Sequence, residues 1–113
     1  WVKYAGLPDH PEHALAQQYC SGQPAGILSF GIVGGQPAGA RFIDALQLVV
    51  RLVNIGDAKS LACHPASTTH RQLNDEELEK AGVPRDMVRL SIGIEHIDDI
   101  LADLNQALLA AKA

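Results

Sequence analysis

The segment Met87–Ile94 alternates without a break: Val88, Leu90, Ile92 and Ile94 are apolar, and Met87, Arg89, Ser91 and Gly93 occupy the positions between them. Successive side chains of a strand point to opposite faces, so such a segment belongs in a sheet with one face buried and one of different character. Ala25 to Val33 repeats the pattern, with Leu28, Phe30 and Ile32 on one side and Ile27, Ser29, Gly31 and Val33 on the other, until Gly34, Gly35 and Pro37 break the chain. The second face then carries Ser29, Gly31, Arg89 and Ser91: small, polar and bearing one fixed positive charge. A third, short strand is expected at Ser60–Cys63.

Helices are predicted between these strands. Asp9 as a cap, Pro11 in the first turn and Glu12 three residues after the cap announce a short helix that buries Leu15 and Tyr19 and ends at Ser21–Gly22. Ala38 to Asn54 reads as a helix with Phe42, Leu46, Val49, Val50 and Val53 at helical spacing. Ala45, Leu48 and Leu52 are apolar as well, which leaves only Asp44, Gln47 and Arg51 as a polar stripe. Such a helix is either central to the core or packs in part on another domain or subunit. Asn74 and Glu77 form a capping-box pair, with Gly82 and Pro84 as stop signals. Ile97, Ile100, Leu101, Leu104, Ala107, Leu108 and Ala111 trace a long C-terminal helix whose first turn holds Asp98 and Asp99. Alternating strands and helices over 113 residues predict one domain, residues 1–113, an α/β two-layer (α+β) sandwich with helices over one sheet face.

Charge and spacing exclude several functions. The net charge is −4 and the nine Lys and Arg residues are scattered, so no nucleic-acid surface is expected. No apolar run has membrane-spanning length. Cys20 and Cys63 have no framework spacing and read as reduced thiols of a cytoplasmic protein. His64 and His70, six residues apart around Pro65-Ala66-Ser67-Thr68-Thr69, match no zinc-ligand spacing, and no metal site is expected; hydrogen bonds within the loop are the reading for Ser67, Thr68 and Thr69. The glycines at 31, 34, 35 and 39 fit no phosphate-loop pattern. Glu76, Glu77, Asp98 and Asp99 belong to helix starts, and Lys3, Lys59, Lys80 and Lys112 lie in polar or terminal stretches. No catalytic and no cofactor-binding residue is expected in this chain. Arg89 is what remains: a guanidinium fork in mid-strand suits a bidentate carboxylate, or else packs its stem and turns its head to solvent.

Four stretches together resemble one family: Ile27-Leu28-Ser29-Phe30-Gly31-Ile32, Asn54-Ile55-Gly56-Asp57-Ala58-Lys59-Ser60-Leu61, His64-Pro65-Ala66-Ser67-Thr68-Thr69-His70 and Val88-Arg89-Leu90-Ser91-Ile92-Gly93-Ile94-Glu95. The chain resembles the C-terminal domain of the pyridoxal-5'-phosphate (PLP) enzymes of cysteine and methionine metabolism, most nearly their O-acetylhomoserine sulfhydrylase branch. The resemblance implies a small, mostly antiparallel sheet within a fold-type I, aminotransferase-like enzyme several times this length. The large domain, absent from this chain, would hold the cofactor lysine, partner subunits of a homotetramer would complete the site, and this chain alone would be an inactive fragment.

Carried over residue by residue, the family's α-carboxylate grip falls on Arg89, with Asn54 and Thr69 beside it. Asn54 stands where many lyase members have Ser and is similar to the sulfhydrylase branch. Leu61 stands where some cystathionine-cleaving members carry Glu. The implied reaction replaces the acetate of O-acetylhomoserine by sulfide or methanethiol, giving homocysteine or methionine. O-succinylhomoserine sulfhydrylase, methionine γ-lyase and a non-catalytic amino-acid-binding module remain as alternatives.

Overall fold

The computed structural model describes residues 1–112. In chain order the elements are β1 (Val2–Lys3), α1 (His13–Cys20), β2 (Ile27–Gly31), α2 (Gly35–Ala45), β3 (Val50–Arg51), β4 (Leu61–Cys63), a 3-10 turn (Pro65–Ser67), α3 (Asp75–Lys80), β5 (Met87–Ser91) and α4 (Ile97–Ala111). The strands form one five-stranded sheet in the order β1-β2-β5-β4-β3, antiparallel except for the β3–β4 pair. β5 is therefore the central strand.

The period-two pattern does what it predicts. Leu28, Phe30, Val88, Leu90 and Ala62 face α2 and α4, where they meet Phe42, Ile43, Leu46, Val49, Leu104, Ala107 and Ala111. Phe30 and Phe42 pack edge to face with ring centroids 5.4 Å apart. On the opposite face Gly31 lies under the Trp1 indole. A Cβ there would stand 2.6 Å from Trp1 Cε2 and closer still to Nε1, so only glycine admits the ring. The indole N–H donates to Asp86 Oδ2 at 2.9 Å, which ties the short edge strand β1 to the start of β5.

Four expectations are corrected. The helix expected over Ala38–Asn54 is instead α2, Gly35–Ala45, followed by extended chain that includes β3. The cause is remote in sequence. Asp103 on α4 accepts the N–H groups of Gln47 (2.9 Å), Leu48 (2.8 Å) and Val49 (2.8 Å), so these amides are held away from helical geometry. Leu46, extended at ψ 137°, begins the bend, and Val49 still reaches the core while Val50, Leu52 and Val53 do not. At α1, Leu15 and Tyr19 are exposed (49% and 76%) and Ala16 is the buried residue. Asp9 does not cap that helix. Glu12 is its N-cap residue, without a side-chain cap bond, and the Glu12 N–H donates to His10 Nδ1. Finally, β5 stops at Ser91, and Ile94 lies outside the sheet, 87% exposed.

The locally encoded start of α3 matches expectation, and α4 has a side-chain cap of its own. Asn74 and Glu77 form the capping box of α3 with both bonds present. His96 Nδ1 accepts the Asp98 N–H at the start of α4.

Candidate functional site

Arg89 is the middle residue of the central strand. Its cross-strand neighbours are Ser29 on β2 and Cys63 on β4, so Ser29, Arg89 and Cys63 form one row on the face away from α2 and α4. The next row is Ile27, Ser91 and Leu61. Burial pushes the Cys63 thiol pKa up, and the adjacent guanidinium offsets part of that rise. Among the described residues Arg89 forms no salt bridge; its side chain lies against the Cys63 thiol, and Nη2 reaches the Asn54 carbonyl oxygen at 3.5 Å, the limit of a hydrogen bond. A half-buried guanidinium with its fork uncommitted is poised to receive an anion that the chain does not supply.

The two motifs Asn54–Leu61 and Val88–Glu95 are the two halves of one latch. β3 and β4 are parallel neighbours joined by residues 52–60 alone, a shorter return than the dozen or more residues usual for a parallel crossover. That return is held from outside. The Gly56 N–H donates to Ser91 Oγ (3.3 Å), the Ile94 N–H to the Ala58 carbonyl (2.9 Å), and the Gly93 N–H to Ser60 Oγ (2.9 Å). Glu95 receives the Ser60 N–H at 2.6 Å and the Ser60 hydroxyl at 2.7 Å. These two bonds hold its carboxyl below the usual range. Gly93 is where the two segments touch: a Cβ there would stand 2.6 Å from the Ser60 nitrogen and closer still to the Ala58 carbonyl. Within the turn, Asn54 Oδ1 accepts the Ile55 N–H and Asn54 Nδ2 donates to Asp57, whose other oxygen accepts the Lys59 N–H.

The His64–His70 loop is a hydrogen-bonded plug. His64 is buried and its Nε2 lies 2.6 Å from the Arg85 carbonyl oxygen. A carbonyl only accepts, so Nε2 carries the proton and Nδ1 accepts from Ser67 Oγ at 2.8 Å. The Thr68 hydroxyl donates to the His64 carbonyl at 2.8 Å. Thr69 is exposed with its hydroxyl 2.7 Å from His70 Nδ1. Beside this loop a groove of about 640 Å³ runs between α2 and residues 51–53. Its charged pair, Asp44 and Arg51, is spent on itself at 3.1 Å.

The family described as Cys/Met metabolism PLP-dependent enzymes matches residues 1–109. The chain belongs to this family. Among its Cys/Met metabolism relatives, O-acetyl-L-homoserine sulfhydrylase 1 of Thermus thermophilus is 54% identical over 108 residues, which is 96% of this chain and 26% of that protein. L-methionine gamma-lyase of Pseudomonas putida is 50% identical over 110 residues, 97% of this chain and 27% of that protein. A crystal structure from Campylobacter jejuni that holds N'-pyridoxyl-lysine-5'-monophosphate superposes with a TM-score of 0.89 at 44% identity, over 96% of this chain and 26% of that one. The chain thus spans about a quarter of the length of the relatives it matches.

A Cys/Met-metabolism enzyme needs a lysine to carry PLP and an anion cradle for its phosphate. The donor set here does not fit that group: Lys3, Lys59, Lys80 and Lys112 are all exposed, and the latch consumes its own amides. Of the three residues expected at the substrate, the fold joins Arg89 and Asn54, although Asn54 offers its main-chain carbonyl and commits its side chain to the turn. Among the described residues no hydrogen bond links Thr69 to either of them. Sequence reasoning passed over Ser60, Glu95 and Asp103. Asp103 did leave a signal, a charge on the same helical stripe as Ile100, Leu104 and Ala107. Glu95 left none beyond its motif.

Proposed function

We propose that this chain is the substrate-carboxylate domain of a PLP-dependent sulfhydrylase acting on O-acetylhomoserine. The observation that carries the reading is Arg89: a guanidinium at the centre of the sheet, flanked by Ser29 and Cys63, with no carboxylate partner among the described residues. The fork would take the α-carboxylate in two parallel charge-assisted bonds, Asn54 would frame it, and Thr69 would close in from the loop. The C–O bond at the γ carbon breaks with release of acetate, and sulfide or methanethiol forms the new C–S bond. PLP held elsewhere in the full-length enzyme would supply the electron sink for that exchange. The contribution of this chain is orientation: a fixed carboxylate keeps the reacting carbons in register with the cofactor site.

The rest of the enzyme would come from a large domain elsewhere in the full-length polypeptide and from partner subunits of a homotetramer. The outer edge of the sheet suits that docking, since Val50, Leu52, Val53 and Ile55 are all exposed there. A cytoplasmic setting is in keeping with Cys20 and Cys63, both free thiols. The methionine γ-lyase relative supports a second reading, in which the same fork holds methionine.

Assays of the full-length enzyme on O-acetylhomoserine, O-succinylhomoserine and methionine separate these. The expected order has O-acetylhomoserine first, and a preference for methionine selects the lyase. Arg89→Ala should lower kcat/KM for the amino-acid substrate by roughly two to three orders of magnitude, and Arg89→Lys should restore only part of it. An unchanged kcat/KM in Arg89→Ala removes the carboxylate-binding role.

A further inference from the structure

We infer that Glu95 and Ser60 are positioning residues for the amino-acid substrate: their clasp holds the Asn54–Lys59 turn against the end of β5 and so sets where the Arg89 fork stands. The inference rests on Arg89 as the carboxylate ligand and deepens that reading. Both oxygens of Glu95 are occupied, one by the Ser60 N–H at 2.6 Å and one by its hydroxyl at 2.7 Å. The same hydroxyl receives the Gly93 N–H at 2.9 Å, which closes a ring of three hydrogen bonds between residues 60 and 93–95. Both of these partners belong to Ser60, so Glu95 acts on residue 60 and, through it, on the turn.

What it acts on touches the fork. The turn that the clasp restrains carries the Asn54 carbonyl, and that oxygen is 3.5 Å from Arg89 Nη2. At this distance the contact guides the guanidinium without capturing it. A turn drawn closer by a few tenths of an ångström would take one fork N–H out of competition for a carboxylate, and a turn set adrift would leave the fork undirected. Ser91, two residues beyond Arg89, seats the same turn through the Gly56 N–H, so strand and turn share one reference frame. Ser60 is fully buried, and a Cβ at Gly93 has no room. The frame is thus stiff at its base: Asp57 braces the turn from within, and Glu95 clasps it to the end of the β5 segment.

The test uses the full-length enzyme with O-acetylhomoserine and sulfide varied separately. Glu95→Gln keeps the shape and turns one acceptor into a donor facing a donor. It should raise KM for O-acetylhomoserine about 5–20-fold with kcat within about twofold and KM for sulfide unmoved, and that increment should vanish in the Arg89→Ala background. Ser60→Ala removes the hydroxyl while keeping the N–H bond to Glu95, and should give a smaller rise of the same kind; it carries the test if Glu95→Gln does not fold. An unchanged KM in the folded variant, or equal losses for both substrates with a fall in kcat, overturns the positioning role. If Arg89→Ala itself leaves KM and kcat unchanged, the carboxylate reading fails instead, so the two failures are distinguishable.

Discussion

Asp103 and Glu95 perform the same operation on two different stretches of backbone. Asp103 reaches from α4 to hold the amides of Gln47, Leu48 and Val49, with Gln106 donating a further bond. Glu95 reaches from the end of the β5 motif to hold Ser60. Their surroundings differ. Asp103 is 6% exposed between the helix layer and the chain that leaves α2, whereas Glu95 is half-buried at the sheet end. Burial opposes ionisation at Asp103, yet the amide bonds outweigh it and keep its carboxyl below the ordinary value of 3.8. At Asp103, loss of the carboxylate strands the buried Val49 amide, while those of the exposed Gln47 and Leu48 can turn in part to water. At the rim, water replaces it. The interior carboxylate should therefore govern stability, and the rim carboxylate should govern the geometry of the Arg89 site.

The largest effect that would break this contrast is in the core. Asp103→Ala leaves three backbone N–H groups without their acceptor and should cost about 3 kcal/mol, read as a lower urea midpoint at constant slope. A midpoint near that of the parent would show that the bend after α2 is held by other means. Gly93→Ala drives a methyl into the Ala58–Ser60 backbone and should cost about 2 kcal/mol through forced backbone movement. Glu95→Ala should cost only about 1 kcal/mol, because water can reach Ser60 once the carboxylate is gone. If it cost as much as Asp103→Ala, the division into core and rim would fail.

Acid titration sharpens the comparison with the smallest change. Both carboxyls are depressed in the folded chain, from 3.8 at Asp103 and 4.5 at Glu95. Their contributions are fully present above those unfolded values and are lost as pH falls through the lower folded ones. Stability should stay level from neutrality to about pH 5 and then decline. Asp103→Asn should flatten part of that decline, since the amide has no proton to take up. An acid limb identical in slope to the parent's would mean that Asp103 does not titrate with unfolding.

What was legible in the chain follows the reach of each interaction. Val88–Arg89–Leu90–Ser91 announces a strand with two unlike faces because adjacent residues decide it, and Asn74 with Glu77 announces a helix start because three residues separate the partners. Arg89 was legible as a ligand candidate because a charged residue at mid-strand is conspicuous among apolar neighbours. Ala38–Asn54 misled because its apolar spacing suits a helix throughout, while the group that stops it lies more than fifty residues away. Likewise, nothing local distinguishes Glu95 from any acidic residue ahead of a helix; its partner is Ser60, thirty-five positions back.

By itself, then, the sequence determined three of the five strands (β2, β4 and β5), the cap of α3, the placement of one guanidinium on the face opposite the helices, and the family; the edge strands β1 and β3 escaped it. Only the tertiary structure decided where α2 ends, which motif residues seat which turn, and that Asn54 meets Arg89 through its main chain. The reason is physical. Periodicity and capping act within a turn or two of chain, whereas a carboxylate chooses among distant amides only after the layers have packed and water has been excluded between them.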